Sequence, residues 1–228
     1  MNKTNIGWIN GFIGVVIFAG SLPATRIAVM GFSPEFLTTT RALIAGIIGL
    51  ICLLLLKQTK PNLQQFKSLT IVALGVVIGF PLFTALALQS VTSSHAIVFV
   101  GLLPLATAIF AVLRGGEKPN WQFWLFAILG STCVISYMFY QNQNFTLNVG
   151  DFYMLIAIIS CGLGYAEGGK LSKDLGGWQV ISWALVITLP LMLVATIYYF
   201  PNSFNAVHTA QILGLIYVSV FSMWLGFL

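Results

Sequence analysis

Long apolar runs separated by short polar segments organise this chain. The run from His95 to Arg114 is the clearest, opening on a polar turn and closing on Gly115-Gly116-Glu117-Lys118-Pro119. A bilayer core is about 30 Å thick and a helix rises about 1.5 Å per residue, so this run predicts one membrane crossing. Pro104 interrupts its middle, removing a backbone donor where only protein or water can satisfy the freed carbonyl. No Lys, Arg, Asp or Glu lies between Lys67 and Arg114, or after Asp174. Each stretch is too long for one helix and sufficient for two. The pattern predicts an all-α polytopic membrane protein with about eight transmembrane helices.

In chain order, the first helix spans roughly Ile6–Arg26, with Gly7 and Gly11 spaced for close helix contact. Gly31–Glu35 is a turn in which Ser33 can cap and Pro34 suits the first helical position, and the second helix runs to about Leu56. A polar loop, Lys57–Lys67, precedes a third helix, Ser68–Gln89, with Gly75 and Gly79 in GxxxG spacing and Pro81 beyond them. The fifth helix covers Trp121 to about Tyr140, the sixth Asp151 to near Gly169, and the seventh Trp178 to about Phe200. Loops are read at Gln141–Gly150, Lys170–Gly177 and Pro201–His208, and an eighth helix begins near Thr209.

Composition agrees: 58% of residues are hydrophobic and only 7% charged, against about 25% charged in a soluble domain. The net charge of +5 does not mark a nucleic-acid surface, because the cations sit in short loops between apolar runs. Apart from Arg26 and Arg41, every Lys and Arg falls at alternate loops, beginning with Lys3; the opposite loops carry none. That asymmetry predicts a cytoplasmic N-terminus for a chain placed in the plasma (inner) membrane. Cys52, Cys133 and Cys161 lie inside apolar runs without paired spacing, so neither disulfide nor metal chemistry is expected. No cofactor is expected either.

Asp151 onward can be laid over the start of the chain with an offset of roughly 142–144 residues. Residues 1–140 then form one five-helix unit and residues 150–228 an incomplete second, of three helices. An odd helix count inverts the second copy, the arrangement of alternating-access transporters. By that offset the second unit would continue for roughly 55 residues past Leu228, adding two helices. The chain reads as truncated within its eighth helix; if it ends there, completing the second unit calls for a homodimer.

The Pro-containing fourth span with its Gly-Glu-Lys-Pro end resembles the EamA-type drug/metabolite exporters. So do the Ser33-Pro34…Arg41 entry to the second helix, Gly162–Gly169, and the pattern Trp178…Trp183…Pro190. The likeness extends along essentially the whole chain. Many members carry Trp-Ala where this chain reads Tyr165-Ala166. The resemblance implies ten helices in two inverted five-helix repeats, a central cavity, and export of small metabolites, commonly amino acids or related solutes.

Candidate substrate-binding residues follow from where polarity or proline interrupts a span. Pro23, Pro81 and Pro104 break helices near mid-membrane, where transporters expose backbone groups. Ser21, Phe83, Tyr165, Trp183 and Trp224 offer hydroxyls and ring faces, with packing as the plain alternative for each. Arg41 lies inside the second helix, where it can meet a substrate carboxylate, snorkel outward or pair with Glu35. Arg26 reads as an interfacial anchor, Glu167 as a surface partner of Lys170, Glu117 as a loop-ordering residue and His95 as a turn histidine. Small-molecule substrate and lipid are the expected partners. No nucleophile, carboxylate pair or metal cluster at catalytic spacing supports an embedded enzyme. A non-transporting fragment or assembly partner is the other alternative.

Overall fold

The computed structural model describes residues 3–141, 148–205 and 207–227. It contains seven helices long and apolar enough to span a membrane, α1 (Gly7–Ala28), α2 (Pro34–Leu55), α3 (Leu63–Ser90), α4 (Ser93–Gly115), α6 (Val149–Leu175), α7 (Gly177–Tyr198) and α8 (Thr209–Phe227). Between α4 and α6 lies α5, Trp121–Gln141, whose apolar part is Trp121–Tyr137. The chain is therefore an all-α polytopic membrane protein. Outward faces are apolar: Trp8, Phe12, Leu54, Leu55, Phe126 and Val194 each expose more than half their surface, which suits lipid and not water. Six residues of the polar loop predicted at Gln141–Gly150, 142–147, lie outside the described residues.

Three spans are broken just ahead of a proline. In α1 the break is at Gly20, ahead of Pro23. In α3 a π-helical segment, Ala73–Gly79, precedes Pro81; in α4, Gly101-Leu102 precedes Pro104. Proline fits the first turn after a break because its missing N–H has no intrahelical partner there. A second π segment, Tyr217–Ser222, lies in α8. Pro190, by contrast, sits inside an uninterrupted α7.

Two helix ends differ from the sequence reading. The helix α3 begins at Leu63, within the stretch read as loop, because Asn62 and Gln65 form a reciprocal cap: the Gln65 N–H donates to Asn62 Oδ1 (2.8 Å) and the Asn62 N–H to Gln65 Oε1 (2.9 Å). The helix α6 continues through Lys170 and Lys173 to Leu175. Gly168-Gly169 does not stop it; Gly176 does, at φ 88°, a conformation costly for any residue with a Cβ.

Helix packing is set by glycine. Gly75 and Gly79 of α3 meet α6, and a Cβ at Gly75 would lie 3.1 Å from the Cα and N of Gly164. Gly7 and Gly11, read as a contact pair, have no atom within 4 Å of where a Cβ would lie, so their spacing makes no helix contact. The remaining main contacts are α2 on α7, α4 on α6, and α1 on α8, where Tyr217 Oη donates to the Ile17 carbonyl at 2.7 Å.

Candidate functional site

A cavity of about 680 Å³ lies between α1, α3, α6 and α7, with the end of α8 as one wall. That volume is in the range of small-molecule sites. Gly11, Gly14 and Phe18 line one side; Gly168, Gly169 and Gly177 line the other. Small residues at these positions create the space. Phe227 also lines it, with its ring edge-on to Phe18 (centroids 5.4 Å) and Tyr165 (6.2 Å).

One turn before Gly226 and Phe227, the same segment presents Ser222 to a buried polar group. Ser21 Oγ and Ser222 Oγ are 2.7 Å apart, and Arg41 Nη2 donates to Ser222 Oγ at 3.4 Å. Ser21 is placed by the α1 break, Ser222 by the end of the π segment, and Arg41 by the second turn of α2. The Arg41 side chain is 4% exposed and its Nε has no partner. It neither snorkels outward nor pairs with Glu35; it points inward. A guanidinium at mid-membrane costs on the order of 3 kcal/mol, and a single long hydrogen bond offsets little of that. The hydroxyls of Thr38, one turn before Arg41, and Thr84 of α3 are likewise buried without partners.

The other candidates disperse. Tyr165 lines the cavity. Trp224 Nε1 donates to Ser182 Oγ at 3.0 Å, and Trp224 and Trp183 pack on one apolar cluster with Ala42, Val76 and Leu185. Phe83 stacks near Tyr153 (6.2 Å) in the other core cluster. Pro81 is fully buried, whereas Pro23 and Pro104 are exposed and do not line the cavity. The structure thus joins Ser21 and Arg41 through Ser222, with Trp224 two residues on. Ser222, Thr38 and Thr84 do not stand out in the sequence, where a lone hydroxyl in an apolar run carries no signal. Among the described residues no group of three or more His, Cys, Asp or Glu converges, and no metal role is assigned.

Three side-chain pairs tie the ends of the bundle. Glu167 is buried and accepts from Arg114 Nε (2.8 Å) and Ser68 Oγ (2.6 Å), joining α6 to α4 and α3. This corrects the reading of Glu167 as a surface partner of Lys170: the carboxylate faces the neighbouring helices rather than its own next turn. Glu117 faces Lys173 at 3.7 Å. At the other end His95 Nε2 meets the buried Asp151 Oδ1 at 2.6 Å, so His95 links α4 to α6 rather than simply forming a turn. Arg26 is no free anchor either, since its Nη1 donates to the Leu88 carbonyl. Glu167→Ala would leave Ser68 and Arg114 without their acceptor; because Arg114 is half exposed, the expected loss is about 2 kcal/mol. Thermal unfolding in detergent measures it, with Glu167→Gln retaining part of the loss.

Comparison with known proteins agrees with this architecture. A solved crystal structure superposes with a TM-score of 0.66 over 96% of this chain and 75% of that one, at 16% identity, a likeness of fold. An uncharacterized transporter of Bacillus subtilis, YdeK, is 59% identical over 227 residues, covering 100% of this chain and 79% of its own length. An S-adenosylmethionine/S-adenosylhomocysteine transporter of Chlamydia muridarum is 32% identical over 72% of this chain and 54% of its own length. The inner membrane transporter YedA of Escherichia coli, also uncharacterized, is 28% identical, and the chain spans about half its length, 52%. The signature of the EamA-like transporter family matches residues 5–138. With a polytopic helical fold, a cavity between the helices and these relatives, the chain belongs to the EamA-like transporter family, and it is a transporter.

Proposed function

We propose that this transporter exports small metabolites, amino acids or related solutes, from the cytoplasm by alternating access. The observation that carries this reading is a cavity whose wall lies one turn from Ser222, the partner of a buried arginine whose Nε is unpartnered. Lys170 and Lys173 stand at the α6 end next to that cavity, so a cytoplasmic N-terminus in the plasma membrane opens it to the cytoplasm. Residues 1–140 and 150–228 act as two inverted repeats, the second represented here by three helices. Reciprocal packing supports this: α1 meets α8 at Gly20 and Tyr217, and α6 meets α3 at Gly164 and Val76. The two π segments occupy corresponding places under the same offset. Opposed units of this kind can rock about a central site. The relatives named for S-adenosylmethionine support a solute with an amino-acid end.

Efflux from proteoliposomes loaded with a mixture of common amino acids tests the reading. Export of at least one above the protein-free rate is expected; leakage identical to protein-free liposomes for all of them contradicts it.

A further inference from the structure

We propose that Arg41, with the Ser21 and Ser222 hydroxyls, seats the carboxylate of an amino-acid-type solute, an inference that rests on the exporter reading for the solute's passage. Arg41 reaches from α2 to α8, is 4% exposed, and spends one long bond on Ser222 while its Nε stays free. A guanidinium offers five N–H donors and does not shed its proton, so burial cannot be relieved by neutralisation.

Among the described residues no carboxylate answers it. Asp151, Glu167 and Glu117 are held by His95, Arg114 and Lys173, and among the described residues none pairs with Arg41. A folded chain that holds a buried cation unanswered is poised for an anion from outside. The planar fork matches a carboxylate, whose two oxygens can accept from Nε and Nη2 together. Ser21 and Ser222 supply neutral hydroxyls beside it, and Thr38, one turn before Arg41 on α2, carries another that is buried and unpartnered. One cation and neutral hydroxyls match the single charge of a carboxylate group; a phosphate dianion group would leave unanswered negative charge beside them.

Access follows from the fold. Ser222 lies one turn before Gly226 and Phe227, which wall the cavity. Displacing the Phe227 ring from Phe18 and Tyr165 would open that end of the cavity toward Ser222.

The test is thermal unfolding of the purified full chain in detergent, with a mixture of common amino acids or of their C-terminal amides. The acids raise Tm by about 3 °C at concentrations well above Kd, and the amides do not. Arg41→Met abolishes the rise, and its ligand-free Tm equals or exceeds wild type because the unanswered charge is gone. Arg41→Lys, which keeps the charge but not the fork, gives a smaller rise. An equal response to acids and amides, no response to either, a rise that survives in Arg41→Met, or a ligand-free Arg41→Met several degrees less stable each overturns the seat. Proteoliposome efflux separates the two readings. Acids that bind through Arg41 but do not leave refute the exporter, not the seat; amides leaving as fast as acids refute the seat, not the exporter.

Discussion

Gly75→Leu is expected to prevent α3 and α6 from closing on each other. A Cβ at Gly75 already lies 3.1 Å from backbone atoms of Gly164, and one at Gly164 would lie 3.2 Å from the Val76 nitrogen. The contacts at Gly75 are all backbone, the Ser160 carbonyl among them, and none can swing away. In lipid there is no hydrophobic gain from holding helices together, so close backbone approach supplies much of the association. Inserting an isobutyl group between two backbones costs about 3 kcal/mol or more. The measurement is Tm, together with the fraction of protein eluting as a monodisperse species. Gly7→Leu and Gly130→Leu are the controls. Both positions are open within 4 Å, and both variants should behave as wild type.

Filling the cavity gives the second large effect, on transport rather than stability. Gly11 lines the cavity and has no atom within 4 Å of a Cβ, so Gly11→Trp can occupy the space without displacing backbone. Efflux in proteoliposomes should fall about tenfold or more, equivalent to ~1.4 kcal/mol or more on the passage of solute. The Tm should stay within a few degrees of wild type. A Gly11→Trp protein that is stable and exports normally would place the solute's path elsewhere.

Much of the fold is legible in the sequence because lipid imposes strict rules. Charge-free runs mark the spans, and Pro23, Pro81 and Pro104 each lie just past a break, although Pro190 sits inside an unbroken α7, so a proline by itself does not mark one. Gly75 and Gly79 signal a close contact that exists. Gly7 and Gly11 show the same spacing with no helix opposite, because spacing identifies a smooth face but not its neighbour. Helix ends are less legible. Gln64, Gln65 and Lys67 of α3, and Lys170, Ser172, Lys173 and Asp174 of α6, are polar or charged yet helical, because a helix can continue past the apolar layer. Hydropathy reports the layer, not the helix.

The site is legible only in part. Arg41 stands out as a charge in a span, but its inward direction depends on Ser222, which lies at a sequence distance of 181. The Glu167–Arg114 pair is hidden for the same reason: Lys170 is near in sequence, while Arg114 is near only once α4 and α6 have packed. Pro23 and Pro104 mark breaks correctly but face away from the cavity lining, because a proline's position along a helix does not fix its side.

If the cavity between α1 and α6 is the solute's path, a thiol block at Gly169 must stop transport, and no measurement bears on that path more directly. Gly169 lines the cavity with open space around it, and Gly169→Cys can be made with Cys52 and Cys133 replaced by Ser while Cys161 stays buried. The expected result is amino-acid export by this variant before treatment, and export reduced to the protein-free rate after a bulky, membrane-impermeant maleimide reacts at Gly169→Cys from the cytoplasmic side. Complete labelling with undiminished export would contradict it.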